Sequence, residues 1–276
     1  MRLLLAAALA VASISRPAVR QSSDQLPLRA VRFYRADHSR TRVTVFLEIP
    51  YSVADSSGSV YQVDFRISDS TGSTIGAEAW KVTVPAERHA GPCVVETIEF
   101  LVTPGRYRLE AAVKNRVTGR ESRSALELEA FDHQPGVSDL LLSPGIRSAS
   151  AGDSVPQAGE LRRGGALVTV AAIPRLGPLR STAHYLLEVY AAGEREDTGS
   201  MSVRVEDAAG AVPFRWRSVP VQVRSGGSTL HGHVSLAGLP PGRYMLVVSV
   251  ELAGRTEERR AEFVMGEGEE AVHSEQ

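Results

Sequence analysis

The sequence predicts an all-β protein, built as two tandem antiparallel Ig-like or transthyretin-like β-sandwich domains behind a signal peptide. Three observations predict it. Apolar and polar residues alternate with period two wherever the chain is regular, a set of landmarks recurs at a near-constant spacing, and a short apolar run opens the chain. Alternation marks strands with one buried face, and no sustained 3.6-residue stripe competes with it.

At the N-terminus, Arg2 is followed by an unbroken apolar run from Leu3 to Ala12, and Ala10-Val11-Ala12 fits a small-x-small cleavage site. Arg16, Pro17 and Arg20 end the run well short of the ~20 apolar residues that a spanning helix requires. A secretory signal over residues 1–20 is expected, with no integral membrane segment after it. No cysteine lies near this segment, which points away from a lipid anchor.

The strands follow in order. Val43, Val45, Leu47 and Ile49 form one apolar face, and Tyr61, Val63, Phe65 and Ile67 another, with Gln62, Asp64 and Arg66 opposite. Tyr107, Leu109, Ala111 and Val113 continue the pattern, as do Leu126 and Leu128. The 24 glycines and 15 prolines punctuate runs of sandwich-strand length.

The second half then repeats the first. Asp69-Ser-Thr-Gly72 reappears as Asp207-Ala-Ala-Gly210, Trp80 as Trp216, and Pro104-Gly-Arg-Tyr107 as Pro241-Gly-Arg-Tyr244, at spacings of 138, 136 and 137. Asp-x-x-Gly suits a hairpin, because Asp bonds its own downstream backbone and Gly accepts positive φ. Upstream, Val43-Thr-Val45 matches Val168-Thr-Val170 only at a spacing of 125, so the intervening loops must differ.

These landmarks place the first sandwich at residues 27–131, a linker at 132–137, the second sandwich at 138–266 and a disordered acidic tail at 267–276. The linker, Asp132-His-Gln-Pro-Gly136 and its neighbour, is polar and turn-forming, and few contacts are expected there. Gly145 to Gly165, rich in Ser, Ala, Gly and Arg, reads as a long loop with room for a binding role.

Charge and cysteine content narrow the function. A formal net charge of -1 gives no electrostatic footprint for nucleic acid. Cys93 is the sole cysteine, so no intramolecular disulfide forms, and it reads as an inert strand residue despite His89 nearby. His231 and His233 flank Gly232 on one face of a strand, a pair that can share a metal, but no third ligand is visible and a solvated strand face is expected. Asp37-His38-Ser39 holds triad residue types consecutively, an arrangement whose side chains diverge. Tyr107 and Tyr244 are expected at the core edge with their hydroxyls on backbone, as in a tyrosine corner, and Trp80 and Trp216 in the cores. No catalytic, cofactor-binding or metal-binding residue is assigned.

Val31-Arg-Phe-Tyr34, Arg42-Val-Thr-Val-Phe-Leu-Glu-Ile-Pro-Tyr51, the Pro-Gly-Arg-Tyr strand ending in Thr118-Gly-Arg120, and Val137-Ser-Asp-Leu140 resemble the β-rich region of bacterial secreted GWxTD-domain proteins. The Gly-Trp-x-Thr-Asp signature is absent, since Trp80 sits in Ala-Trp-Lys and Trp216 in Arg-Trp-Arg. The resemblance implies an envelope or secreted protein and supplies no catalytic residues. The function expected is a non-enzymatic exported β-sandwich module, periplasmic or extracellular, engaging protein partners of the cell envelope or serving its structure. A carbohydrate-binding or hydrolase accessory module is the alternative.

Overall fold

The computed structural model describes residues 26–50, 58–84, 93–150, 156, 159–177, 181–191 and 196–266. The expected signal and acidic tail lie outside them. Among the described residues every regular element is a strand, and all but one pairing is antiparallel.

Seven strands surround the first core. They are β1 (Leu28–Arg35), β2 (Arg40–Pro50), β3 (Ser59–Asp69), β4 (Thr74–Val84), β5 (Cys93–Val102), β6 (Arg106–Asn115) and β7 (Glu121–Glu129). They form two sheets, β1-β2-β5 and β4-β3-β6-β7. Between these pack Val43, Val45, Leu47 and Ile49 of β2 against Tyr61, Val63, Phe65 and Ile67 of β3, the same faces that the alternation marks. This strand order is immunoglobulin-like, with the fourth strand placed on the second sheet.

A second core lies between two further sheets. The smaller contains β8 (Leu141–Ser143), β13 (Thr182–Val189) and β17 (Ser228–Ser235) in the order β8-β13-β17. The larger contains β14 (Asp197–Asp207), β15 (Phe214–Arg215), β16 (Val219–Val223), β18 (Gly242–Leu252) and β19 (Arg255–Met265), with the short β12 (Arg175–Leu176) running parallel to β19. Strand for strand, this repeats the order around the first core, with β15 and β16 together taking the place of β4.

One segment has no counterpart in the first half. Strands β9 (Ile146–Ser148), β10 (Glu160–Arg163) and β11 (Ala166–Thr169) form a small sheet between β8 and β13. The stretch expected to be a loop is therefore partly strand, because Leu161, Ala166 and Val168 are buried in a third apolar cluster. The same insertion explains the poor upstream spacing. Ala183, Tyr185, Leu187 and Val189 of β13, not Val168 and Val170, stand in the second core where Val43 to Ile49 stand in the first.

The third cluster joins the two halves. The inserted sheet and Leu141 and Leu186 cover Val31, Phe33 and Phe46, on the outer face of β1-β2-β5. Strand β2 is consequently buried on both faces, a property of central strands between two layers. The linker is also pinned: Gln134 Nε2 donates to Ala191 O at 2.8 Å, Gly136 N–H to Glu257 Oε1 at 2.8 Å, and Val137 bridges Val189.

Candidate functional site

The most concentrated polar chemistry lies in the seam between the two halves. On β2, Thr44, Phe46 and Glu48 point away from the first core, and all three are shielded from solvent. Glu48, only 2% exposed, accepts hydrogen bonds from Ala172 N–H at 2.9 Å and Ile173 N–H at 3.4 Å, and pairs with Arg175 Nη1 at 3.1 Å. A buried carboxylate is tolerated because these donors replace its lost hydration.

Arg163 of β10 reaches the same face from the inserted sheet. Its side chain is 5% exposed, donates to Thr44 Oγ1 at 2.6 Å, pairs with Glu99, and lies over the Phe33 ring at 4.9 Å. Burial works against the Glu99 carboxylate, but the charge and hydrogen bond of Arg163 outweigh it and hold its pKa below the ordinary value. Among the described residues Arg163 Nε finds no hydrogen-bond partner.

A second polar contact sits at the other end of the seam. Arg32 and Asp139 form a fork with two bonds of 2.8 Å, Arg32 N–H donates to the same carboxylate at 2.9 Å, and the guanidinium stacks 4.6 Å from the Phe131 ring centroid. Arg29 donates to Leu140 O at 2.6 Å, and its burial lowers its pKa to about 10. Tyr34 N–H donates to the Tyr190 hydroxyl, which itself donates to Glu188. These groups clamp and position. Nothing in their geometry pairs a nucleophile with a base.

The residues singled out from sequence lie elsewhere. Cys93 begins β5, and burial pushes its thiol up to about 11, with Glu48 adding to the shift and Arg175 opposing it. A protonated thiol is a poor nucleophile. Its neighbour His89 lies outside the described residues. Asp37, His38 and Ser39 form the exposed β1–β2 turn, where the Asp37 carboxylate binds Arg35 at 2.6 Å and 3.0 Å.

Tyr107 and Tyr244 are buried, and their hydroxyls donate to Thr103 O at 2.9 Å and Pro240 O at 3.0 Å, the tyrosine-corner geometry. Trp80 and Trp216 pack half-buried on their cores. Asp69 accepts from the backbone N–H groups of Thr71 and Ser73, and Asp207 from those of Ala209 and Ala211. Gly72 and Gly210 follow at φ 82° and 81°. The two hairpins are built by one rule.

His231 and His233 are exposed on β17, as expected of a solvated face. The strand pairing adds a third imidazole: His184 of β13 lies directly opposite His233, with ring centroids 5.7 Å apart. His184 is undetectable as a neighbour in the sequence, because only the β13–β17 register brings it there.

The two outer sheet faces differ. On β14, β18 and β19, Arg204 is bonded to Glu206 and Glu258, and Arg260 to Glu206, closing over the fully buried Val247. On β4-β3-β6-β7, Ala77, Ala79, Ala112 and Ala125 leave an open trough of about 720 Å³ beside Asp64 and Arg66. Among the described residues, the large apolar side chains that are exposed are Ile75, Leu101, Val117, Val212 and Val219, and none is aromatic.

No family model matches the chain, and no curated protein matches it. Red sea bream transglutaminase is similar over 90% of this chain and 32% of its own, at 11% identity and a TM-score of 0.27. A calcium-binding mutant of Bacteroides uniformis β-glucuronidase 2 is similar over 85% of this chain and 27% of its own, at 9% identity and a TM-score of 0.31. The C-terminal domain of the Streptococcus agalactiae AgI/II polypeptide BspA is covered in full by 87% of this chain, at 10% identity and a TM-score of 0.24. The chain thus spans about a third or less of the first two proteins. What stands beside these likenesses is an all-β chain of antiparallel sheets.

Proposed function

We propose that this chain is an exported, non-enzymatic β-sandwich module that engages a protein partner in the cell envelope through the open edge of its first sandwich. The apolar run Leu3 to Ala12 supports export, and the resemblance to the β-rich region of GWxTD-domain proteins supports an envelope setting. The repeated strand order supports an origin of the two sandwiches by duplication.

The observation that carries the binding reading is a contrast between equivalent edges. Among the described residues, strand β4 is paired only with β3; it runs eleven residues without a proline and carries Ile75 at 50% exposure. Its counterpart in the second half is split into β15 and β16, with Pro213 immediately before the first and Pro220 within the second. Short edges and prolines are devices that stop strands from pairing with other chains. The second sandwich has both, and β4 has neither. Glu78 opposes Phe65 on the core-facing side of β4, so a strand added there is favoured when it brings a cation to that row.

A photo-crosslinking residue at Ile75, expressed in the native envelope, is the direct test. One dominant protein adduct is expected, sharply reduced when Ala77→Lys places a charge on the same edge. An adduct pattern unchanged by that substitution would overturn the edge reading. Saturable binding of the purified protein to a glycan panel, with no protein adduct, would favour the carbohydrate alternative.

A further inference from the structure

We propose that His184 and His233 form a two-imidazole site for a divalent transition ion of the zinc, nickel or copper type. The inference is independent of the edge reading. It starts from the strand register: His184 and His233 are direct cross-strand partners, followed by Tyr185 opposite Gly232. Tyr185 and Val234 point into the second core, so both histidines face away from it. Gly232 is small because the Tyr185 ring occupies its space, with the hydroxyl 2.6 Å from where a Cβ would stand. The core-facing packing therefore holds the two strands in the register that sets the imidazoles side by side.

The spacing suits one ion. Zinc lies about 2.0–2.1 Å from a ligating nitrogen, so two imidazoles at a tetrahedral angle have ring centroids about 5 Å apart. The rings here stand 5.7 Å apart and are tilted by 42°. Imidazole χ2 angles are broad, and a small rotation closes the remainder.

The donor set selects the class of ion. Two nitrogen donors suit zinc, copper and nickel, whereas calcium and magnesium require oxygen ligands. Among the described residues no group of three or more His, Cys, Asp or Glu side chains is placed to hold a metal. Two imidazoles with water completing the shell are therefore the arrangement proposed. His231 shares the face two residues away, opposite Leu186, and stands outside it.

The test is calorimetric titration of zinc chloride into the purified protein, prepared without a polyhistidine tag in a non-coordinating buffer, with calcium chloride as the contrast. One saturable zinc site is expected and no calcium binding. His184→Asn and His233→Asn should each weaken zinc binding by at least about tenfold, since even residues that only orient a ligand have effects of that size. Circular dichroism of both variants checks that the strands remain folded, and His184→Gln serves if His184→Asn does not fold. Absence of a saturable zinc site, or zinc affinity within about threefold of the parent in either variant, would overturn the proposal. A loss on His231→Asn equal to that on His184→Asn would overturn the two-ligand assignment.

Discussion

Tyr107 and Tyr244 each turn a hydroxyl back onto a carbonyl four residues upstream, across a Pro-Gly turn whose glycine lies against the ring. The ring is core and the hydroxyl is a staple, so the two parts of the side chain are separable. Tyr107→Phe and Tyr244→Phe should each lower stability by about 1 kcal/mol, the usual net value of one such hydrogen bond, measured by urea denaturation. A larger loss would mean that the hydroxyl also orders the turn. Gly232 makes a sharper demand. A Cβ there meets the Tyr185 hydroxyl at 2.6 Å and its ring carbon at 2.8 Å, so Gly232→Val should destabilise by roughly 1–3 kcal/mol through overpacking. Gly210, with nothing within 4 Å, is limited by its φ of 81° alone. Both tyrosines and both Asp-x-x-Gly turns are legible in the sequence, because each is a local motif closed within five residues. Glu48 is not, since its donors are 124 to 127 residues away.

Among the elements, β2 and the inserted sheet carry most of the new information. Period-two alternation identifies Val43 to Ile49 as the core face and is correct about it. The opposite face, with Thr44, Phe46 and Glu48, looks like an ordinary solvent side containing one stray aromatic. It is buried because β9, β10 and β11 lie over it, and Phe46 was the available signal. The insertion carries its own cost, a guanidinium with 5% exposure. Arg163→Ala should therefore destabilise by roughly 3 kcal/mol, at the lower end of the range for breaking a buried pair because Glu99 remains 38% exposed. Arg163→Met, which keeps the packing against Phe33, should recover part of that loss. Thermal melts of the two variants check both expectations, and equal melting of parent and Arg163→Ala would mean that the pair contributes nothing.

At the scale of the whole molecule, the seam decides whether the two cores behave as one body. The third apolar cluster, the Arg163–Glu99 and Glu48–Arg175 pairs and the Arg32–Asp139 fork all join residues more than sixty positions apart. A single cooperative transition is expected by calorimetry at neutral pH, resolving into two steps when Arg163→Ala loosens the seam. Acid should do the same. The pKa of Glu99 is depressed in the folded state, so its contribution is fully present above the ordinary carboxyl value of 4.5 and is lost as pH falls through the lower folded value. Melting that stays single-step below the lowered folded pKa of Glu99, once its carboxyl is protonated in both states, would show that apolar packing alone holds the seam. By itself the sequence determined the fold class, the core faces of the strands, the paired hairpins and the tyrosine corners, because each depends on periodicity or on bonds between near neighbours. Only the tertiary structure decided that the Gly145 to Gly165 stretch contributes β9 and β10 to a small sheet, that the outer face of β2 is buried from Thr44 to Glu48, and that His184 meets His233. Those outcomes depend on which surfaces remain to be covered after each core has formed, and on a strand register that no local pattern records.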